Sequence, residues 1–186
     1  MHLNKIFFVS TFACFLSNVL SFCHIQYLKA DIIPEIFHLM PEYTIKVCYG
    51  HYEVNCGADV NINRTQEEPS LFWRSSNSNI LYTLLMIDPD APYPQNPTLQ
   101  NYLHWIIVNI PGNNIKDGDL IADYVAPNPP RDSNRHRYIF VVYKQDCRLP
   151  AQKWSQGNEN FNLDKYLQTQ NLSPYPHAMN FFFVQK

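Results

Sequence analysis

The chain has 186 residues, a net charge of −2 and only 16% charged residues. That length suits a single domain, and a content of 46% hydrophobic and 15% aromatic residues excludes an intrinsically disordered protein. The near-neutral balance leaves no basic footprint for nucleic acid, and fourteen prolines argue for strands and loops over long helices.

At the N-terminus, His2 and Lys5 precede an apolar run from Ile6 to Leu20. The run is shorter than the ~20 residues that a membrane span needs. Ser21 and Cys23 then offer small residues to a signal peptidase, with cleavage before His24. The segment reads as a secretory signal peptide over residues 1–23. A transit peptide is disfavoured because the segment holds no Arg. The remainder, 24–186, is expected to be one extracellular domain. Cys14 and Cys23 would leave with the signal, so Cys48, Cys56 and Cys147 would remain, enough for one disulfide and one free thiol. Cys48 and Cys56 flank a hairpin turn at Gly50 and His51 and form the expected pair; three reduced, buried thiols are the alternative. Asn63-Arg64-Thr65 and Asn171-Leu172-Ser173 are glycosylation sequons.

Pro34 to Met40 has room for one helical turn. Tyr43 to Tyr49 alternates like an edge strand, Val54 to Ile62 like its neighbour, and Leu71 to Trp73 like a short strand. Three continuous apolar runs then read as buried strands: Ile80 to Ile87, Trp105 to Ile110, and Tyr138 to Tyr143. A short strand is expected at Ile121 to Val125. Phe161 to Thr169 spaces its apolar residues like an amphipathic helix, and Ala178 to Val184 closes the chain as a strand. The domain is therefore mostly β.

Titratable groups crowd the ends of the three strong strands. The first runs into Asp88, the second follows His104, and the third follows His136. If the first two are antiparallel neighbours, Asp88 and His104 share an end. The connection 111–135 is long enough for a crossover that returns His136 to that same end. Side chains alternate along a strand, so His136 and Tyr138 share a face and Arg137 points away, where it is expected to pair with Asp90. Singly, each of these residues is a common structural one. Together they line a hollow whose imidazole and phenol groups suit phosphate or carboxylate oxygens. Two histidines and a carboxylate also match a facial metal triad, but no HxD or HExxH spacing supports a metal. No nucleophile elbow is present.

Asp88-Pro89-Asp90-Ala91-Pro92, Tyr102-Leu103-His104-Trp105, Asp123-Tyr124-Val125 with Pro129-Pro130, and His136-Arg137-Tyr138 resemble the motifs of the phosphatidylethanolamine-binding protein family. That family includes the Raf kinase inhibitor proteins and the plant flowering-time regulators. Asn180-Phe181-Phe182 resembles its final motif. The resemblance implies a β-sandwich with a large central sheet, a smaller sheet and a few peripheral helices. It also implies a pocket for phosphate or a phosphorylethanolamine headgroup. Asp88, His104, His136 and Tyr138 would form that pocket, with Ala91 and Pro130 in its wall. Family members generally bind or scaffold and are not enzymes, so no cofactor is expected. A phospholipid headgroup or small anion is the expected partner, with peripheral membrane contact and a monomeric state. The alternative is a secreted protease inhibitor or signalling modulator that engages a protease or receptor through the rim loop 126–137. The sequence departs from the family at Leu103, where a second histidine is frequent, and at Ala126-Pro127-Asn128, Asp132 and Asn134, where glycines are frequent.

Overall fold

A computed structural model describes residues 22–75 and 77–186. The expected signal peptide thus lies outside the described residues, apart from Phe22 and Cys23. Ten strands follow in chain order: β1 (Tyr43–Thr44), β2 (Lys46–Tyr49), β3 (Tyr52–Val54), β4 (Ala58–Asp59), β5 (Ser70–Phe72), β6 (Leu81–Asp88), β7 (Tyr102–Pro111), β8 (Asp119–Ala122), β9 (His136–Lys144) and β10 (Ala178–Val184). Residues 22–29 are helical (α1), and a second helix, α2, spans Leu163–Thr169. Its N-terminus is capped by Asn162, whose side chain accepts from the Lys165 amide at 2.9 Å.

The large sheet runs β1-β10-β9-β6-β7-β8, with β4 joining β10 alongside β1; β3-β2-β5 form the small sheet. Alternation along the central strands supplies two cores. Tyr82, Leu84 and Met86 of β6, with Tyr138, Phe140 and Val142 of β9, face Val47, Val54 and Leu71 of the small sheet. Leu85, Ile87, Ile139 and Val141 face the other way, against Tyr27 of α1 and Tyr166 and Leu167 of α2. Burial on both faces is why these strands read as unbroken apolar runs. The expected sandwich with peripheral helices is what forms.

Two of the expected strands divide. The run from Tyr43 to Tyr49 splits at Ile45, because β1 pairs with β10 in the large sheet and β2 with β3 and β5 in the small one. Ile45 is fully buried at the crossing. Its carbonyl accepts from Asn180 Nδ2 at 2.7 Å, which joins the two sheets. The run from Val54 to Ile62 divides in the same way into β3, β4 and a 3-10 turn, Ile62–Arg64.

The disulfide is not the expected one. Cys56 pairs with Cys23, at a Cα–Cα distance of 5.5 Å, and Cys48 is a free thiol. The β2–β3 hairpin does turn at Gly50 and His51, but its register sets Cys48 opposite Glu53. Val47 and Tyr49 take the buried positions of β2, so Cys48 points to the outer face of the small sheet. Cys56 lies beyond the hairpin on the α1 side of the large sheet. Cys23 and Tyr27 form the inner face of α1, and the Tyr27 hydroxyl donates to the Met179 carbonyl at 2.7 Å. Cys23 is therefore part of the folded body.

Candidate functional site

Strands β7 and β9 both run antiparallel to β6, one on each side of it. The last residue of β6, Asp88, thus meets the first residues of β7 and β9 at one end of the sheet. The four residues expected to converge there do so, and all are buried: Asp88 is 3% exposed, His104 4%, His136 1% and Tyr138 1%. Asp88 folds into its own turn, with Oδ1 accepting from the Asp90 amide at 2.7 Å, as Asp does at turn starts. Its Oδ2 lies 2.8 Å from His136 Nδ1. The Tyr138 ring stacks 6.4 Å from that of His136, and the His104 ring meets it edge-on at 5.2 Å.

His104 sits inside β7, not ahead of it. Ile87 pairs with Leu103 and Met86 with Trp105, so His104 is the extra residue of a β-bulge. A bulge re-aims side chains near binding sites. Here it lets consecutive residues, His104 and Trp105, face the same side, against Tyr138 and Tyr124. Val125 fixes the bulge from the neighbouring loop. Its amide donates to the His104 carbonyl at 2.8 Å, and its own carbonyl lies 2.6 Å from His104 Nδ1. A carbonyl only accepts, so Nδ1 carries a proton and Nε2 is the nitrogen left for a guest. Burial lowers the affinity of His104 for a second proton, and His136 lowers it further, while the Val125 carbonyl and Asp88 act in the opposite sense. Tyr138 remains a phenol: burial, then the Asp88 charge, push its ionisation far up.

Arg137 points to the opposite face, as alternation requires. Its Nε donates to Asp90 Oδ2 at 2.9 Å and Nη2 to Oδ1 at 2.6 Å. Nη1 reaches the carbonyls of Ala30 and Asp31 beyond α1. The bidentate fork thus braces the acidic turn that carries Asp88 against the N-terminal segment. Of the two expected wall residues, Ala91 is buried within that turn, and Pro130 is half-buried with its carbonyl accepting from the Ser133 amide at 3.2 Å. Among the described residues, no group of three or more His, Cys, Asp or Glu side chains is placed to hold a metal ion.

A profile of the family described as phosphatidylethanolamine-binding protein matches residues 38–182. The chain belongs to the phosphatidylethanolamine-binding protein family. A Drosophila melanogaster relative, named as an odorant-binding protein, A5, is 33% identical over 83% of this chain and 76% of its own. A 26 kDa secreted antigen of Toxocara canis is 33% identical over 66% of this chain, which spans 47% of that antigen. The fold also matches that of a carboxypeptidase Y inhibitor solved with its cognate proteinase. That match has a TM-score of 0.78 and 22% identity, and covers 91% of this chain and 96% of the other.

Beside the four motif residues of this phosphatidylethanolamine-binding protein, the sequence did not single out Ser133, which touches His136. Its Oγ lies 2.7 Å from His136 Nε2, and the residue is only 4% exposed. A hydroxyl three residues before a motif histidine was the available signal, but a loop serine has too many ordinary roles to stand out. Val125 contributes through its backbone, for which side-chain identity gives no signal.

Proposed function

We propose that this protein is a secreted, non-enzymatic binding protein whose site takes phosphate or a phosphorylethanolamine-type headgroup. The carrying observation is the gathering of Asp88, His104, His136 and Tyr138 at one end of the central sheet, with His104 Nε2 left over by the Val125 bond to Nδ1. Once Nε2 takes a proton, the buried His104 favours an oxyanion over water, since hydrogen bonds to charged groups are the stronger ones. An oxidised Cys23–Cys56 pair suits the secretory route. Asn63 and Asn171 are both exposed, as glycan acceptors must be.

Calorimetric titration with O-phosphorylethanolamine tests the site. His104→Ala removes the imidazole nitrogen facing the guest and should weaken binding at least about tenfold. Unchanged affinity in a folded variant would overturn this reading. The working surface would then be sought on loop 126–137, where Arg131 and Arg135 are exposed. That second reading, protease inhibition or partner binding through the rim, draws support from the inhibitor that shares the fold.

A further inference from the structure

In the state described, His136 has no nitrogen to offer a guest. Nδ1 is held by Asp88 Oδ2 at 2.8 Å and Nε2 by Ser133 Oγ at 2.7 Å. The Ser133 hydroxyl also reaches the Asn134 carbonyl at 2.9 Å, so its single proton has two acceptors nearby. The turn that carries it is fastened from outside by the chain after β10. Gln185 Nε2 donates to the Ser133 carbonyl at 3.2 Å, and Lys186 Nζ to Asn128 Oδ1 at 2.7 Å. Arg135 is ion-paired to Asp59 at 3.1 Å and lies 3.8 Å over the Phe183 ring. These groups border a groove of about 440 Å³ lined by Asp59, Val60, Asn61, Arg135, Phe183 and Gln185. The Arg135–Asp59 pair is mostly exposed, and exposed pairs hold weakly. The fastening is thus a releasable one.

We propose that Ser133 is a built-in competitor for the oxyanion position on His136, held there by Gln185 and Lys186, and that its displacement selects tetrahedral oxyanions over carboxylates. This rests on the anion-site reading above. The serine hydroxyl stands where a ligand oxygen would bind, at ordinary hydrogen-bond length, but it is neutral. Nδ1 gives its proton to Asp88, so Nε2 accepts from the serine; a phosphate monoanion brings a more acidic P–OH that donates to Nε2 in its place, so it displaces the hydroxyl. A phosphomonoester has enough oxygens to meet His104, Tyr138 and His136 together. A carboxylate has two, which His104 and Tyr138 satisfy without moving Ser133. The gate therefore weakens phosphate binding somewhat and leaves acetate binding untouched.

Calorimetry with inorganic phosphate, O-phosphorylethanolamine and acetate, on wild type, Ser133→Ala and Gln185→Ala, tests this. Ser133→Ala should tighten both phosphate ligands about tenfold, the worth of one hydrogen bond, and leave acetate unchanged. The ligand with the larger gain is the better match to the natural guest, free phosphate or headgroup. Gln185→Ala alters only a tail side chain on the surface, so it keeps the test valid if the serine variant misfolds. It should shift phosphate affinity in the same direction by a smaller factor. Phosphate affinity that is unchanged or weaker in both variants, with wild type binding normally, overturns the gate and leaves the anion site standing. Acetate that tightens in step with phosphate overturns the selectivity. Phosphate binding absent from all three proteins overturns the anion site and the gate with it.

Discussion

At the scale of one residue, His104 carries the most consequence, because half of its chemistry is already committed. The Val125 carbonyl fixes the proton on Nδ1, so neutral His104 keeps a lone pair on Nε2. An oxyanion without a proton of its own is repelled by that lone pair and is bound only once Nε2 is protonated. Burial makes this proton costly in the empty site, with His136 adding to the cost and Val125 and Asp88 offsetting part of it. Two linked outcomes follow. Without ligand, the folded state holds the His104 proton less tightly than the unfolded chain. As pH falls below the ordinary imidazole value of about 6.5, the unfolded state takes up that proton first, and this contribution to stability declines. With ligand the sign reverses, because the anion draws the proton in. Sulfate, which does not titrate in this range, should therefore bind more tightly as pH falls below about 6.5. Proton uptake would appear as a heat that depends on buffer ionisation enthalpy. A flat sulfate profile, or one equally steep in His104→Gln, would remove His104 from that role.

At the scale of elements, the sequence exposes strands by their burial and hides whatever depends on register. Strands β6, β7, β9 and β10 are legible because both faces are buried, so apolar residues dominate them and their few polar ones, such as Thr83, Asn109 and Asn180, are themselves buried. The shared end of Asp88, His104 and His136 is legible too, since it needs only antiparallel pairing and a long connection. The bulge at His104 is not, because a register slip leaves no mark in composition. The division of the Tyr43–Tyr49 run is hidden for the same reason, since an apolar residue between sheets looks like one within a strand. The disulfide illustrates the limit. Proximity in sequence favoured Cys48 with Cys56, whereas the hairpin register turns Cys48 outward and a helix from 33 residues away supplies the partner. Closing a loop of that length contributes about 3 to 4 kcal/mol in the chain-entropy account. Cys23→Ser should lower unfolding stability by about that amount in urea titrations, whereas Cys48→Ser should stay within about 0.5 kcal/mol of wild type, as surface changes usually do. Equal losses in the two variants would contradict the pairing.

At the scale of the whole molecule, the central sheet has two cores, and the N-terminal segment belongs to one of them. Tyr27 is fully buried in α1, Cys23 is bonded to Cys56, and Ala30 and Asp31 receive Arg137. Arg137 in turn holds Asp90, the second acid of the turn whose first acid orients His136. The covalent clamp on α1 and the Asp88–His136 pair are thus the two ends of one chain of contacts through the sheet. This bears on where the proposed signal peptide is removed. Cleavage before His24 would discard Cys23, leave Cys56 as a lone thiol among apolar side chains, and remove the first two residues of α1. Cleavage after Ser21 puts Val19 and Ser21 at the two positions the peptidase reads and keeps both the clamp and the helix. The secreted protein should therefore begin at Phe22. Intact-mass measurement on deglycosylated protein from the culture medium, before and after reduction, decides between the two sites. The expected species starts at Phe22 and gains two hydrogens on reduction. A species starting at His24 would show that the body folds without its clamp, and the coupling of α1 to the pocket would then have to rest on Arg137 alone.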